Sequence, residues 1–178
     1  MIHLITIVGK HAKKFYLEPQ RLSDFKSLMR TITSGRVMIV STKFRSDLFY
    51  SAEKPASDAI LKLWAFLTNT DLPSFEGNDI LIYEGDETAL SEYFQAINHL
   101  STNWLKYRLY KKAFNYSFSN DHHNPMARTI AGCDQHILHH SSIKRAPLFI
   151  AEAQINADIK GDTLLLAMRI INNGIHSN

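Results

Sequence analysis

The sequence predicts an α+β fold, a mixed β-sheet with helices packed against it, in a single domain covering residues 1-178. Three observations predict it. β-branched or alternating runs recur along the chain, apolar residues at helical spacing separate them, and no repeat, low-complexity segment or linker divides the whole. The 178 residues sit at the upper end of one ordinary domain, and 45% hydrophobic with 21% charged residues is a globular profile.

The elements follow in order. Ile2, Leu4 and Ile7 open a β-branched run that ends at Gly9. Ser23-Asp24 starts a helix, with Leu22, Phe25, Leu28, Met29 and Ile32 at helical spacing and Gly35 as its stop. Residues 36–41 read as a buried strand. Pro55 and Ser57-Asp58 introduce a helix carrying Ile60, Leu61, Trp64 and Leu67 on its inner face. Residues 79–83 form a strand, Glu84-Gly85-Asp86 a turn, and Glu87 begins a helix with Leu90, Tyr93, Phe94 and Ile97 inward.

For 104–118 a strand is expected over a helical extension, because aromatics dominate and Ser101-Thr102-Asn103 interrupts the helical pattern. Asn124-Pro125 then caps a helix over 125–140, with Met126, Ile130, Cys133, Ile137 and His140 in one stripe. Ala151, Ala153, Ile155, Ala157 and Ile159 alternate with polar residues, as in a strand with one wet face. A turn at 160–162 returns the chain through 163–171 as a C-terminal β-hairpin; the alternative is an apolar helix from Asp162 to Gly174. The resulting order suggests a mixed sheet with helices packed against it, for which a ferredoxin-like topology with an inserted helix is one candidate.

Cys133 is the lone cysteine, so no intramolecular disulfide forms. The first eight residues lack a signal peptide's basic segment, and no run reaches the roughly 18 to 20 apolar residues that cross a bilayer. The expectation is a cytoplasmic protein with no membrane contact. Charge is blocked: residues 1–50 carry nine Lys/Arg against three Asp/Glu, 51–100 two against nine, and 101–150 seven against two. A basic face meets polyanions or acidic partners; blocks of opposite sign can equally neighbour each other in the fold.

Five of nine histidines fall between 122 and 140. On a helix His136 and His140 share a face with Cys133, and His122 or His123 would complete a tetrahedral zinc site. No CxxC pair or HExxH motif accompanies them, and Cys133 belongs equally to the apolar stripe. Asp121-His122-His123 matches the acid-and-histidine triplet of the DHH phosphoesterases over three residues. The Asp-rich metal motifs of that family have no counterpart, so the match carries no function. His99-Leu-Ser101 and His140-Ser-Ser142 fail likewise against the paired motifs of 2H phosphoesterases, being too close together. The strand-turn-helix at Tyr83-Glu84-Gly85-Asp86 resembles that of the BLUF photosensors, which implies architecture and no cofactor. Walker, GxGxxG and GxSxG signatures are absent.

The most suggestive stretch runs from Trp104 to Tyr116 and interleaves aromatics with cations. As a strand it would put Trp104, Lys106, Arg108, Tyr110, Lys112 and Phe114 on one face, where bases stack and cations meet phosphates. Arg128, Lys144 and Arg145 would extend that surface, as would Lys10, Lys13 and Lys14. The ordinary alternative is core aromatics with cations snorkelling to solvent.

Three functional readings follow. The first is a small accessory protein that contacts nucleic acid or a nucleoprotein complex, with no cofactor. The second is a protein-interaction module such as a subunit, inhibitor or immunity-type partner, docking through complementary charge. The third is a hydrolase using zinc or histidine at Asp121, His122, His123, His136 and His140.

Overall fold

In the computed structural model, residues 1–33, 36–72, 78–121, 123–149 and 161–173 are described. The fold is α+β: the described strands lie in the N-terminal half, and the second half contributes helices. Contacts divide the chain into two units, Met1–Gly85 and Asp86–Asn178.

The first unit runs β1 (Ile2–Val8), α1 (Gly9–Lys14), α2 (Pro19–Ile32), β2 (Val37–Ser41), β3 (Arg45–Ser51), α3 (Ser57–Leu67) and β4 (Ile80–Glu84). Its sheet has the order β2-β3-β1-β4, and every neighbouring pair is antiparallel. The expected mixed sheet is thereby corrected. Each helical connection skips one strand position, so its two parallel strands are kept apart by a third.

The register aligns Ile39, Leu48, Ile5 and Ile82 in one row across the sheet. Ile39, Leu48 and Ile5 of that row share a core with Phe25 and Met29 of α2 and with Ile60, Leu61 and Trp64 of α3, while Ile82 on the edge strand stays partly exposed. Trp64 is fully buried, and its indole N–H donates to the Phe15 carbonyl at 2.9 Å. Phe15 meets the indole edge-on at 5.9 Å and Phe25 at a tilt at 5.3 Å. Aromatic pairs of this kind are each worth about 0.5–1.5 kcal/mol beyond their burial.

β3 has no counterpart among the expected elements, and it opens with the polar residues Arg45, Ser46 and Asp47. The structure buries all three. Arg45 grips Asp47 with two bonds, Nε to Oδ2 at 2.7 Å and Nη2 to Oδ1 at 2.9 Å, and Thr6 of β1 donates to Oδ1 at 2.7 Å. Residues i and i+2 of a strand share a face, which brings the two charges together. β4 leads through Gly85, at φ +89°, into the next helix. A glycine suits that left-handed position because it has no Cβ to clash.

The second unit comprises α4 (Asp86–Ser101), α5 (Trp104–Ser119), α6 (Pro125–His140) and α7 (Gly161–Asn172). The expected strand at 104–118 is a helix. Asn103 caps it, its side-chain oxygen accepting from the Lys106 N–H at 3.1 Å. Ser101 and Thr102 donate to the Asn98 and His99 carbonyls near the end of α4. The Ser-Thr-Asn cluster therefore punctuates two helices instead of separating a helix from a strand.

The expected C-terminal hairpin fails in its second arm. Residues 163–171 lie inside α7, whose buried Ala167 and Ile170 share a face, with α7 packed on α6 and α4. The alternative apolar helix is the one formed. Asp162 in its first turn complements the helix dipole. The first arm, 151–160, lies outside the described residues. The helix expected over 125–140 is present with its Asn124 cap, which accepts from the Met126 N–H at 3.0 Å. Among the described residues no helix is long and apolar enough to cross a membrane.

Candidate functional site

α5 buries Tyr107, Tyr110, Phe114, Ser117 and Phe118, which fall within one third of its circumference. Lys111, Ala113 and Asn115 are half-buried, and the remaining residues of the helix are exposed. Trp104 is 67% exposed, Leu105 50%, Leu109 46% and Tyr116 45%, an unusual density of large apolar side chains in solvent. Trp104, Arg108 and Lys112 follow one another at four-residue steps beside them, all exposed. The Arg108 guanidinium lies 5.1 Å from the centre of the Trp104 ring, a cation–π contact that holds both side chains along the helix. α5 contains Lys106, Arg108, Lys111 and Lys112 and no acidic residue.

The helix therefore redistributes the residues expected on one strand face. Trp104, Arg108 and Lys112 stay together and reach solvent. Lys106 is exposed on a different side of the helix, more than a quarter-turn away. Tyr110 leaves the surface altogether: it is fully buried, and its hydroxyl donates to the Tyr93 hydroxyl at 3.2 Å. Lys144 is exposed and Arg128 half-buried on α6.

Arg145 is also withdrawn from the surface set. Its side chain is 2% exposed and Nη2 donates to Asp134 Oδ1 at 2.5 Å. Nε donates to Asn98 Oδ1 at 2.7 Å and Nη1 to the Tyr107 hydroxyl at 3.1 Å. Tyr107 in turn donates to the Ala146 carbonyl, and the second Asp134 oxygen accepts from the Leu148 N–H at 2.8 Å. Burial works against the Arg145 charge, yet the adjacent Asp134 carboxylate raises its pKa above the ordinary arginine value. Burial pushes the Tyr107 phenol up to about 12, against the opposing pull of Arg145. This group ties α4, α5 and α6 to the segment 145–148, a structural task.

The zinc candidates do not assemble. Cys133 is fully buried, its thiol pointing at the Thr163 carbonyl at 3.7 Å, and burial followed by Asp134 pushes its pKa up to about 12. A thiol so held is a poor source of the thiolate that zinc needs. His136 and His140 do pack together, ring centres 4.3 Å apart. Burial lowers the His136 pKa, and His140 and His139 lower it further. His122 lies outside the described residues. Among the described residues no group of three or more His, Cys, Asp or Glu side chains is placed to hold a metal ion. Asp121 accepts from the Asn124 side chain at 3.1 Å, in the turn that caps α6.

Leu105 and Leu109 are the surface residues that the strand reading overlooked. Their signal was the helical spacing of Tyr107, Tyr110, Phe114 and Phe118, which leaves both leucines outside the buried arc. No protein-family model matches the chain, and neither does any curated protein or solved structure.

Proposed function

We propose that the chain is a protein-interaction module that docks an acidic, amphipathic segment of a partner on the outer face of α5. The observation that carries this reading is the exposure of Trp104, Leu105, Leu109 and Tyr116 on a helix with four cations and no acid. Trp, Tyr and Arg are the residues in which binding energy concentrates, and the leucines supply apolar area that a phosphate backbone does not use. Lys and Arg beside them select a partner of opposite sign. Leu105, Leu109, Lys112 and Tyr116 recur at steps of four, three and four, the seam spacing of two packed helices.

Nucleic-acid binding is the second reading, favoured by the Trp104–Arg108–Lys112 row. It is the weaker one because a stacking platform needs adjacent exposed rings, and Tyr110 is in the core. For the fold, the β-α-β-β-α-β order and antiparallel β2-β3-β1-β4 sheet of the first unit support a ferredoxin-like reading, with α1 as the inserted helix. That fold hosts many functions and identifies none.

The test is fluorescence anisotropy of the full chain with two labelled probes. One is a helical peptide with leucine along its seam and glutamate beside it; the other is single-stranded RNA. Peptide binding at roughly 100 μM or below, weakened about tenfold in Leu105→Ser/Leu109→Ser, is the expected result. No peptide binding, or RNA binding that falls steeply with salt and ignores the leucine changes, overturns it.

A further inference from the structure

We propose that His11 is a phosphoryl-accepting histidine, with Asp79 as its positioning residue. His11 Nδ1 lies 2.6 Å from Asp79 Oδ2. A carboxylate only accepts, so Nδ1 carries the proton and the lone pair of the neutral ring is on Nε2. The His11 side chain is 14% exposed, Nε2 meets no protein partner among the described residues, and Nε2 is not a buried orphan. The reactive nitrogen is thus held in one tautomer, on a side chain that keeps 14% of its surface exposed.

The surrounding backbone is shaped to this pair. The Val8 N–H donates to the Asp79 carbonyl at 2.8 Å, clasping the end of β1 to the residue before β4. Gly9 follows at φ +63°, and a Cβ there would stand 3.0 Å from Asp79 Oδ1. Glycine is what lets the carboxylate approach. Lys10 and Lys14 flank His11 in sequence on α1, both exposed, and α1 has no acidic residue.

The chemistry balances on these groups. Nε2 attacks the phosphorus of a phosphoramidate or acyl phosphate, forming an N–P bond as the bond to the leaving group breaks. Phosphoramidate in its N-protonated form releases ammonia, which takes the electron pair of the broken P–N bond and its three hydrogens; an acyl phosphate releases a carboxylate, which takes the pair of the broken P–O bond. The ring keeps its Nδ1 proton and becomes an imidazolium, which the Asp79 carboxylate neutralises. Lys10 and Lys14 supply positive charge for the phosphoryl oxygens. His3 offers a contrast: its Nε2 faces the Ala52 carbonyl at 3.2 Å, and its Nδ1 is sealed in the core.

The experiment treats the full chain with potassium phosphoramidate and follows each histidine by mass spectrometry. His11 is expected to be phosphorylated on Nε2 about tenfold faster than the exposed His99, His123, His139 and His140. Asp79→Asn is expected to slow His11 about tenfold while leaving those four unchanged. Comparable rates at all exposed histidines of the unmodified chain overturn the proposal, as does a folded Asp79→Asn protein with unaltered His11 reactivity. The wild-type ranking decides even if that variant fails to fold.

Discussion

Asp134 and Arg145 form a sealed ion pair, Oδ1 to Nη2 at 2.5 Å, with side chains 1% and 2% exposed. Removing one partner leaves the other charged, buried and uncompensated. Arg145→Leu or Asp134→Leu alone should therefore destabilise the protein by about 3–5 kcal/mol. The double replacement should recover much of that loss, because neither charge then has to be desolvated. Urea unfolding of the three variants gives the coupling. Additive losses would show that the pair contributes nothing as a unit.

Tyr107 and Cys133 predict an alkaline limit. Burial raises both, to about 12 from ordinary values of 10.0 and 9.0. The unfolded chain thus loses these protons at lower pH than the folded one. Their stabilising contribution is complete below pH 9 and declines as pH rises toward 12, by about 1.4 kcal/mol per pH unit for each group in its own window. Urea unfolding between pH 8 and 11 should show the decline, flattened from pH 10 upward in Tyr107→Phe. A thiol reagent should reach Cys133 only on unfolding, and rapid labelling of the native protein would contradict the burial argument.

Gly9 is predicted to be irreplaceable by small residues. Gly9→Ala puts a methyl group 3.0 Å from Asp79 Oδ1 and imposes a left-handed backbone on an L-residue. The backbone penalty alone is about 1–2 kcal/mol. Thermal unfolding should record at least that, and a neutral Gly9→Ala would mean the clasp around Asp79 yields without cost.

Much of this fold was legible because local signals agreed. Asn124-Pro125 with its apolar stripe, and Gly85 between an apolar run and an acidic helix start, each pointed to one structure. At 104–118 two signals conflicted: aromatic content favoured a strand, whereas Tyr107, Tyr110, Phe114 and Phe118 recur with helical period. Period prevailed, since one narrow buried arc gathers four aromatics from a single helix. β3 was hidden for another reason. Arg45 and Asp47 are charged residues of the kind usually found at the surface, and their pairing with each other and with Thr6 is a tertiary arrangement that lets them be buried. The site was legible in composition, not in exposure. Nothing in the identities of Arg108 and Arg145 tells which lies over an exposed indole and which is bonded to the side chains of Asn98, Tyr107 and Asp134. His11 drew no notice because its carboxylate partner is 68 residues away.

Asn103 offers the sharpest check on α5, on which the docking face depends. Its side chain accepts from the Lys106 N–H, satisfying one of the donors a helix leaves free at its start. Asn103→Ala should cost about 1 kcal/mol, whereas Asn103→Gly should cost only a few tenths, since glycine tolerates the cap conformation and lets water reach the free N–H groups. A strand beginning at Trp104 would have no such cap to lose, and its glycine variant would be no better than the alanine one. The order of the two variants in urea unfolding thus reports the helix itself. If the alanine variant proves as stable as the parent, the outward arc of Trp104, Leu105, Leu109 and Tyr116 loses its structural basis.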